Sequence, residues 1–361
     1  MKVFLAATSL SSTYGGPAYS VSRLASELAA TRVEVALWSA DGSPGDFVNR
    51  SPEVRELAGG LDSALREFGR PDLIHDNGLW RAHNNHLANV ARRQRIPRVV
   101  STRGMMEPWA MSHKKWKKMM AWPLYQRRDI ISADAIHATS QREAENITRR
   151  LAGIYPQVIS NGIDLPNASG GQPSGATHGR GNRTALFLGR IYPVKGLPML
   201  VAAWNAVRPE GWRLRIAGPD ESGHRRVVER AVERAGLSDA VSFAGPVRGA
   251  AKEAEWAEAD LFILPSYSEN FGLSVGEALA HSVPVLTTTA APWAMLRDRG
   301  CGWSVAPTVE ALTDGLRIAT SFDSLALHKM GERGREFVST EFQWRDVANR
   351  FKTLYETLIQ R

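Results

Sequence analysis

Two α/β domains, each a parallel sheet wound with helices, are what this sequence predicts, and three features carry the prediction. Short apolar runs alternate with stretches of helical period along nearly the whole length, a pattern that implies βαβ units. Residues 166–183, PNASGGQPSGATHGRGNR, are rich in Gly, Ser, Pro and Asn without any apolar period, so they read as a linker. A chain of 361 residues also exceeds the usual size of one domain. The domains are therefore expected at 1–165 and 184–342, with a last helix within 343–361.

In the first half, Lys2–Thr8 is expected as a strand. Pro17–Ala30 follows as a helix with Val21, Leu24, Ala25 and Leu28 on one face, then Val33–Trp38 as a strand. Next come a helix around Glu53–Phe68, strand Asp72–His75, helix Ala82–Arg95 and strand Arg98–Ser101. Lys114–Ile131 reads as one basic helix, ahead of strand Ala135–Thr139, helix Gln141–Leu151 and strand Gln157–Ser160. Beyond the linker, strands Ala185–Leu188, Leu214–Ala217 and Val241–Ala244 alternate with helices Leu197–Ala206, Arg225–Ala235 and Ala250–Ala257. The run Leu261–Leu264 stops at Pro265 and reads as a buried parallel strand. A helix begins near Phe271–Gly272, and a second apolar run closes at Val283–Leu286. Helices near Glu310–Thr320 and Ser324–Ser339 precede the last, Trp344–Ile359, whose Val347, Phe351, Leu354, Tyr355 and Leu358 share a face.

Composition narrows the class. A single cysteine, Cys301, rules out a disulfide framework and suits a reducing cytosol. The opening MKVFLAATSL has the look of a short signal peptide, but it leads into a Gly-Gly turn and reads as a first buried strand. Between Arg92 and Arg128 stand eleven basic residues and one acidic, Glu107, with Trp109, Trp116 and Trp122 among them. Such a stretch is either a solvated helix face or a patch for an anionic membrane surface. Nucleic acid is the weaker explanation, because no recognition motif accompanies the charge. His83 and His86, with Asp76, lack the carboxylate support of a metal site, so none is expected.

The segment Leu261–Leu286, LFILPSYSENFGLSVGEALAHSVPVL, concentrates the chemistry. Ligands of open α/β sheets sit at the carboxyl ends of strands, and Glu269 lies at such a tip while Glu277 lies in the helix that follows. Between them Asn270, Phe271, Gly272 and Leu273 place backbone N–H groups at a helix N-terminus, a ready phosphate site. Alone, two glutamates this far apart are also what a solvated amphipathic helix would show. At the tip of strand Ala185–Leu188, Arg190 and Lys195 offer cations just ahead of a helix. Gly218 and Val247 follow two further strands. In the first half, Tyr14-Gly15-Gly16-Pro17 joins strand to helix, while His75 and Arg103 sit at strand tips. The glycine spacing matches neither a dinucleotide fingerprint nor a Walker loop.

Glu269-x7-Glu277 resembles the E-x7-E segment of the retaining nucleotide-sugar glycosyltransferases of family 4, and Gly189-Arg190…Lys195-Gly196 resembles their G-R-x4-K-G segment. The resemblance implies the GT-B fold, two Rossmann-like domains facing a cleft, with the C-terminal helix packed back on the N-terminal domain. It implies that Arg190 and Lys195 hold the donor diphosphate, that Glu269 orients the sugar and Glu277 the ribose, and that the backbone around Val247 reads the base. It implies also that the N-terminal domain takes the acceptor. Asp72–Gly78 resembles a strand-tip His-x-His-Gly motif with Asn77 in place of the second His, so His75 is a candidate for the donor sugar or the acceptor, a structural role being the equal alternative for a lone His at a strand end. Where many members carry a sugar-contacting His, this chain has Arg103, a candidate for an anionic acceptor, with Glu107 nearby.

With no Asp-x-Asp anywhere, the expected activity is a metal-independent, retaining transfer from a nucleotide-sugar, a UDP-sugar first. Its acceptor would be a saccharide or lipid-linked saccharide in surface polysaccharide synthesis. No cofactor beyond the donor is expected, and the expected location is the cytoplasm, at the inner face of the membrane if the basic stretch binds there. A nucleotide-sugar epimerase, a phosphorylase and a non-catalytic nucleotide-sugar-binding subunit are the rival readings.

Overall fold

The computed structural model describes residues 1–45, 51–113, 115–166 and 183–361, and it divides into two units. Met1–Gly162 with Phe342–Arg361 forms one; Ile163–Glu341 forms the other.

In the first unit, β1 (Lys2–Ala7) is buried from Val3 onward, as a parallel strand covered on both faces should be. It is followed by α1 (Gly16–Ala30), β2 (Glu34–Ser39), β3 (Arg55–Leu57), α2 (Leu61–Phe68), β4 (Leu73–Asn77), α3 (Ala82–Gln94) and β5 (Arg98–Ser101). Short helices α4 (Pro108–Ser112), α5 (Lys115–Ala121) and α6 (Arg127–Ile131) lead to β6 (Ala135–Ala138), α7 (Gln141–Arg150) and β7 (Gln157–Val158). The sheet is parallel, in the order β3-β2-β1-β4-β5-β6-β7. The winding therefore reverses between β1 and β4, the place where such sheets open a crevice at their carboxyl ends.

The second unit repeats the plan with β8 (Arg183–Leu188), α8 (Leu197–Val207), β9 (Trp212–Ala217), α9 (His224–Arg234), β10 (Val241–Gly245) and α10 (Ala250–Ala257). Then come β11 (Leu261–Leu264), α11 (Leu273–Ala280), β12 (Val285–Thr288), β13 (Gly302–Val305), α12 (Val309–Ser321) and α13 (Ser324–Glu341). Its parallel order is β10-β9-β8-β11-β12-β13, so the reversal lies between β8 and β11. The last helix, α14 (Trp344–Ile359), belongs to the first unit. Its Phe351, Tyr355 and Leu358 share a core with Val3 and Leu5 of β1 and Val21, Leu24 and Leu28 of α1.

Three local readings differ. The helix expected from Glu53 begins only at Leu61, because Arg55–Leu57 pairs as an edge strand with β2. β13, unforeseen, adds a sixth strand beside β12. The basic helix is broken into α5, a π-helical turn at Trp122–Gln126 and α6, since Pro123 has no N–H for the regular ladder. Lys114 and most of the 166–183 linker lie outside the described residues.

His75 is corrected too. It is fully buried under α14, with Nδ1 2.6 Å from Tyr355 Oη and Nε2 2.6 Å from Ser101 Oγ. Ser101 Oγ lies 2.6 Å from His137 Nδ1, and His137 Nε2 lies 2.7 Å from the Ile159 carbonyl. The carbonyl can only accept, so His137 donates to it from Nε2. His137 Nδ1 then accepts from Ser101, Ser101 from His75, and His75 from Tyr355, a one-way chain that uses both imidazoles neutral. Burial holds His75 well below 6.5 and pushes His137 down to about 3. His75 is thus a core residue and not a sugar contact.

A pH dependence follows. Both imidazoles protonate more readily in the unfolded chain, so their contribution is full above about pH 6.5 and is lost as pH falls below it. Each group costs about 1.4 kcal/mol per pH unit in that window. Asp76, pushed up to about 6 by burial, and Glu107, also raised by burial, act in the opposite direction, but they begin lower, and His83 and His281, each pushed down to about 4, add to the loss. Urea midpoints should fall between pH 7.5 and 5.5; a higher midpoint at pH 5.5 would refute the neutral chain.

Candidate active site

The strongest cluster forms where the second sheet reverses, from the loops after β8 and β11. After β8 the chain makes a 3₁₀ turn at Pro193–Lys195 and passes through Gly196 at φ +66°. A Cβ on Gly196 would sit 2.1 Å from the Pro265 carbonyl oxygen, so only glycine lets this loop lie against the tip of β11. Gly218, at φ +139°, is held likewise: a Cβ there would meet the Gly189 oxygen at 1.9 Å. Its N–H donates to the Gly245 carbonyl at 2.7 Å, just before the half-buried Val247. The two glycines thus draw the tips of β8, β9, β10 and β11 together.

That approach brings Lys195 and Glu269 into an ion pair at 2.5 Å, with side chains only 16% and 10% exposed. Ser266 Oγ donates to the same carboxylate oxygen at 2.7 Å, and the Glu269 N–H donates to Ala290 O at 3.2 Å. Glu269 is therefore fixed in place, with its lysine held beside it.

α11 starts immediately afterwards. Gly272, at φ +77°, is its N-cap and supplies no side-chain cap; the Val275 N–H donates to Gly272 O at 2.9 Å, so the amides offered to a ligand are those of Leu273 and Ser274. Phe271 is locked from behind, its carbonyl accepting from Trp293 Nε1 at 2.5 Å, with the two rings 5.4 Å apart. Asn270 stands half-buried in the same turn.

Glu277, a turn further on, accepts from Lys252 Nζ of α10 at 2.7 Å. Arg190 is turned to Glu221 at 2.6 Å, and this pair is more open, 40% and 39% exposed. Three ion pairs, Lys195–Glu269, Lys252–Glu277 and Arg190–Glu221, thus stand on the strand-tip loops and helices of this unit. Lys252, Glu221 and Ser266 were missed in the sequence. Only Ser266 carried a signal, its place three residues before Glu269 in a strand-tip loop.

In the first unit, Gly15 (φ +84°) caps α1, its N–H donating to Ser12 O at 3.1 Å, and Gly16 opens the helix. Arg103 is 9% exposed and binds Asn77, Asn161 and Ser20. Glu107 is buried and accepts from Asn146 Nδ2 at 2.7 Å, so it serves the fold. His83 packs edge-on to Trp38, His86 bonds Asp62, and the Asp76 carboxylate accepts from Asn84 and Arg98.

Family models fit both units: one described as "Glycosyl transferases group 1" over residues 182–320, and one as "Glycosyl transferase 4-like domain" over 15–162. A D-inositol 3-phosphate glycosyltransferase of Streptomyces coelicolor is 28% identical, the match covering 60% of this chain and 54% of the relative. A GDP-mannose:cellobiosyl-diphosphopolyprenol alpha-mannosyltransferase of Xanthomonas oryzae pv. oryzae is 27% identical, covering 80% of this chain and 75% of that one. This chain thus spans about half the length of the first relative and three quarters of the second. The crystal structure of Anabaena Alr3699/HepE in complex with UDP and glucose superposes with a TM-score of 0.77 at 18% identity, covering 99% of this chain and 100% of that one. With transferase models matching each unit and the shared fold running end to end, the chain belongs to the GT-B glycosyltransferases.

Proposed function

We propose that the chain transfers a sugar from a nucleotide-sugar, a UDP-sugar first, to a saccharide or lipid-linked saccharide acceptor, with retention and without a metal. The observation that carries this is the Lys195–Glu269 pair beside the open start of α11, at the reversal of the second sheet. The α11 amides take the diphosphate, Lys195 and Arg190 stabilise the charge that grows on it as the sugar leaves, Glu269 grips the sugar hydroxyls and Glu277 the ribose. The acceptor belongs to the first unit. On this reading, turnover persists in EDTA; loss on chelation with recovery by Mg²⁺ or Mn²⁺ would overturn the metal-free account.

The direct test is a thermal-stabilisation screen with UDP-, GDP- and ADP-sugars, in which a ligand at about 100 Kd adds about 2.7 kcal/mol. Stabilisation by none of them sinks the reading. Glu277→Ala should then weaken affinity for the active nucleotide by about 1–3 kcal/mol, a charge-assisted hydrogen bond. Unchanged affinity would take the ribose away from Glu277.

We also infer peripheral contact with the inner face of a membrane. α5 has no buried residue, and beside Lys115, Lys117 and Lys118 it exposes Trp116, Met119 and Met120, with Leu124 72% exposed in the next turn. Among the described residues no helix is long and apolar enough to cross a bilayer, so contact would be interfacial, each basic residue adding about 1 kcal/mol on an anionic surface. Changing Lys114, Lys115, Lys117 and Lys118 to Gln should abolish sedimentation with anionic liposomes at low salt and spare UDP binding. Wild-type protein that ignores such liposomes would end the membrane reading.

A further inference from the structure

The first sheet also reverses, between β1 and β4, and a recess of about 10 Å³, room for one oxygen atom of a ligand, opens there at the strands' carboxyl ends, bounded by Thr8, Tyr14, Pro17, Gly78, Arg103 and Met105. Arg103 is the unusual member. Its guanidinium donates to Asn77 Oδ1 at 3.1 and 2.7 Å, to Asn161 Oδ1 at 3.1 Å and to Ser20 Oγ at 3.3 Å, all neutral acceptors. The Glu143 carboxylate acts on it from a distance, but its oxygens are taken by Thr102, Gly104 and Thr139. A cation more than nine-tenths buried thus stands without an ion-pair partner, an arrangement that costs stability and, beside a recess, makes it a functional-site candidate.

A second group faces the same space. Thr8 Oγ1 is buried without a hydrogen-bond partner. Gly78, at φ +110°, keeps room beside it, since a Cβ there would lie 3.3 Å from Thr8 Oγ1 and 3.4 Å from Met105 Cε. The start of α1, whose N-cap Gly15 has no side-chain cap, forms the rim with its positive end.

A fixed guanidinium, an unused hydroxyl and a helix start all favour an oxyanion. We propose that Arg103 and Thr8 form a subsite for a carboxylate or phosphate group carried by one of the sugars this enzyme handles. The substrate class is thereby narrowed to acidic sugars. The identification of the ligand as a sugar rests on the glycosyl-transfer reading above; the anion site itself rests on the geometry of the recess.

Calorimetry on the whole chain tests this with two pairs of probes, glucose 6-phosphate against glucose, and UDP-glucuronate against UDP-glucose. Wild-type protein should prefer the acidic member of one pair at least tenfold, the first pair marking an acceptor and the second a donor. Arg103→Gln and Thr8→Val should each reduce that preference severalfold or more, while UDP alone binds as before. If Arg103→Gln does not fold, Arg103→Lys and Thr8→Val decide. Equal binding within both pairs, or a preference untouched in folded variants, overturns the subsite. A preserved preference for glucose 6-phosphate in a protein that binds no nucleotide would uphold the subsite and sink the transferase reading instead.

Discussion

Lys195→Ala is expected to lower kcat about 10²–10³-fold while changing KM for the nucleotide-sugar far less. Charge accumulates on the leaving phosphate only as the glycosidic bond breaks, so a cation placed there acts mainly on the transition state. Lys195 suits this role because its loop is pinned by Gly196 and its ammonium is already positioned by Glu269 at 2.5 Å. Removing it also leaves the Glu269 carboxylate largely buried without its countercharge, though Ser266 still donates to it. Melting curves of the variant must therefore accompany the kinetics. Steady-state assays that show a raised KM and an intact kcat would make Lys195 a ground-state anchor instead.

Gly196→Ala should, like Gly218→Ala, be among the most damaging of the small substitutions at this site. The left-handed backbone at φ +66° costs an L-residue about 1–2 kcal/mol. The added Cβ would also sit 2.1 Å from a backbone oxygen, not from a side chain that can swing aside. A total of about 3 kcal/mol or more is expected, which for a unit of this size lowers Tm by about 6–12 °C. Gly211→Ala is the control: its φ is similar at +70° but nothing lies within 4 Å, so only the backbone cost of about 1–2 kcal/mol remains. Equal melting temperatures for the two variants would show that the close approach to Pro265 is not tight.

Legibility in the sequence followed the range of the information needed. Leu261–Leu264 was readable because an apolar run ended by proline is a local signal, and Glu269 because it stands at that strand's tip. Arg55–Leu57 was not, being three residues long, two of them charged, and paired only at an edge. Gly302–Val305, four residues long, was too short for its alternation to stand out. The pairings of the site lay further out of reach. Lys195 meets Glu269 across 74 positions and Glu277 meets Lys252 across 25, and both depend on which strands become neighbours. The misplacement of His75 has the same origin, since what buries it is Tyr355, 280 positions away.

Consider the order in which a ribosome delivers this chain. Residues 163–341 form one unbroken segment, so the second sheet can close as soon as its own strands have emerged. The first sheet is delivered earlier but cannot finish, because the helix that covers Val3, Leu5 and Leu24 comes only with residues 344–359. The segment made first therefore matures last, with an apolar strip exposed throughout synthesis of the other unit, the condition in which nascent chains depend on chaperones.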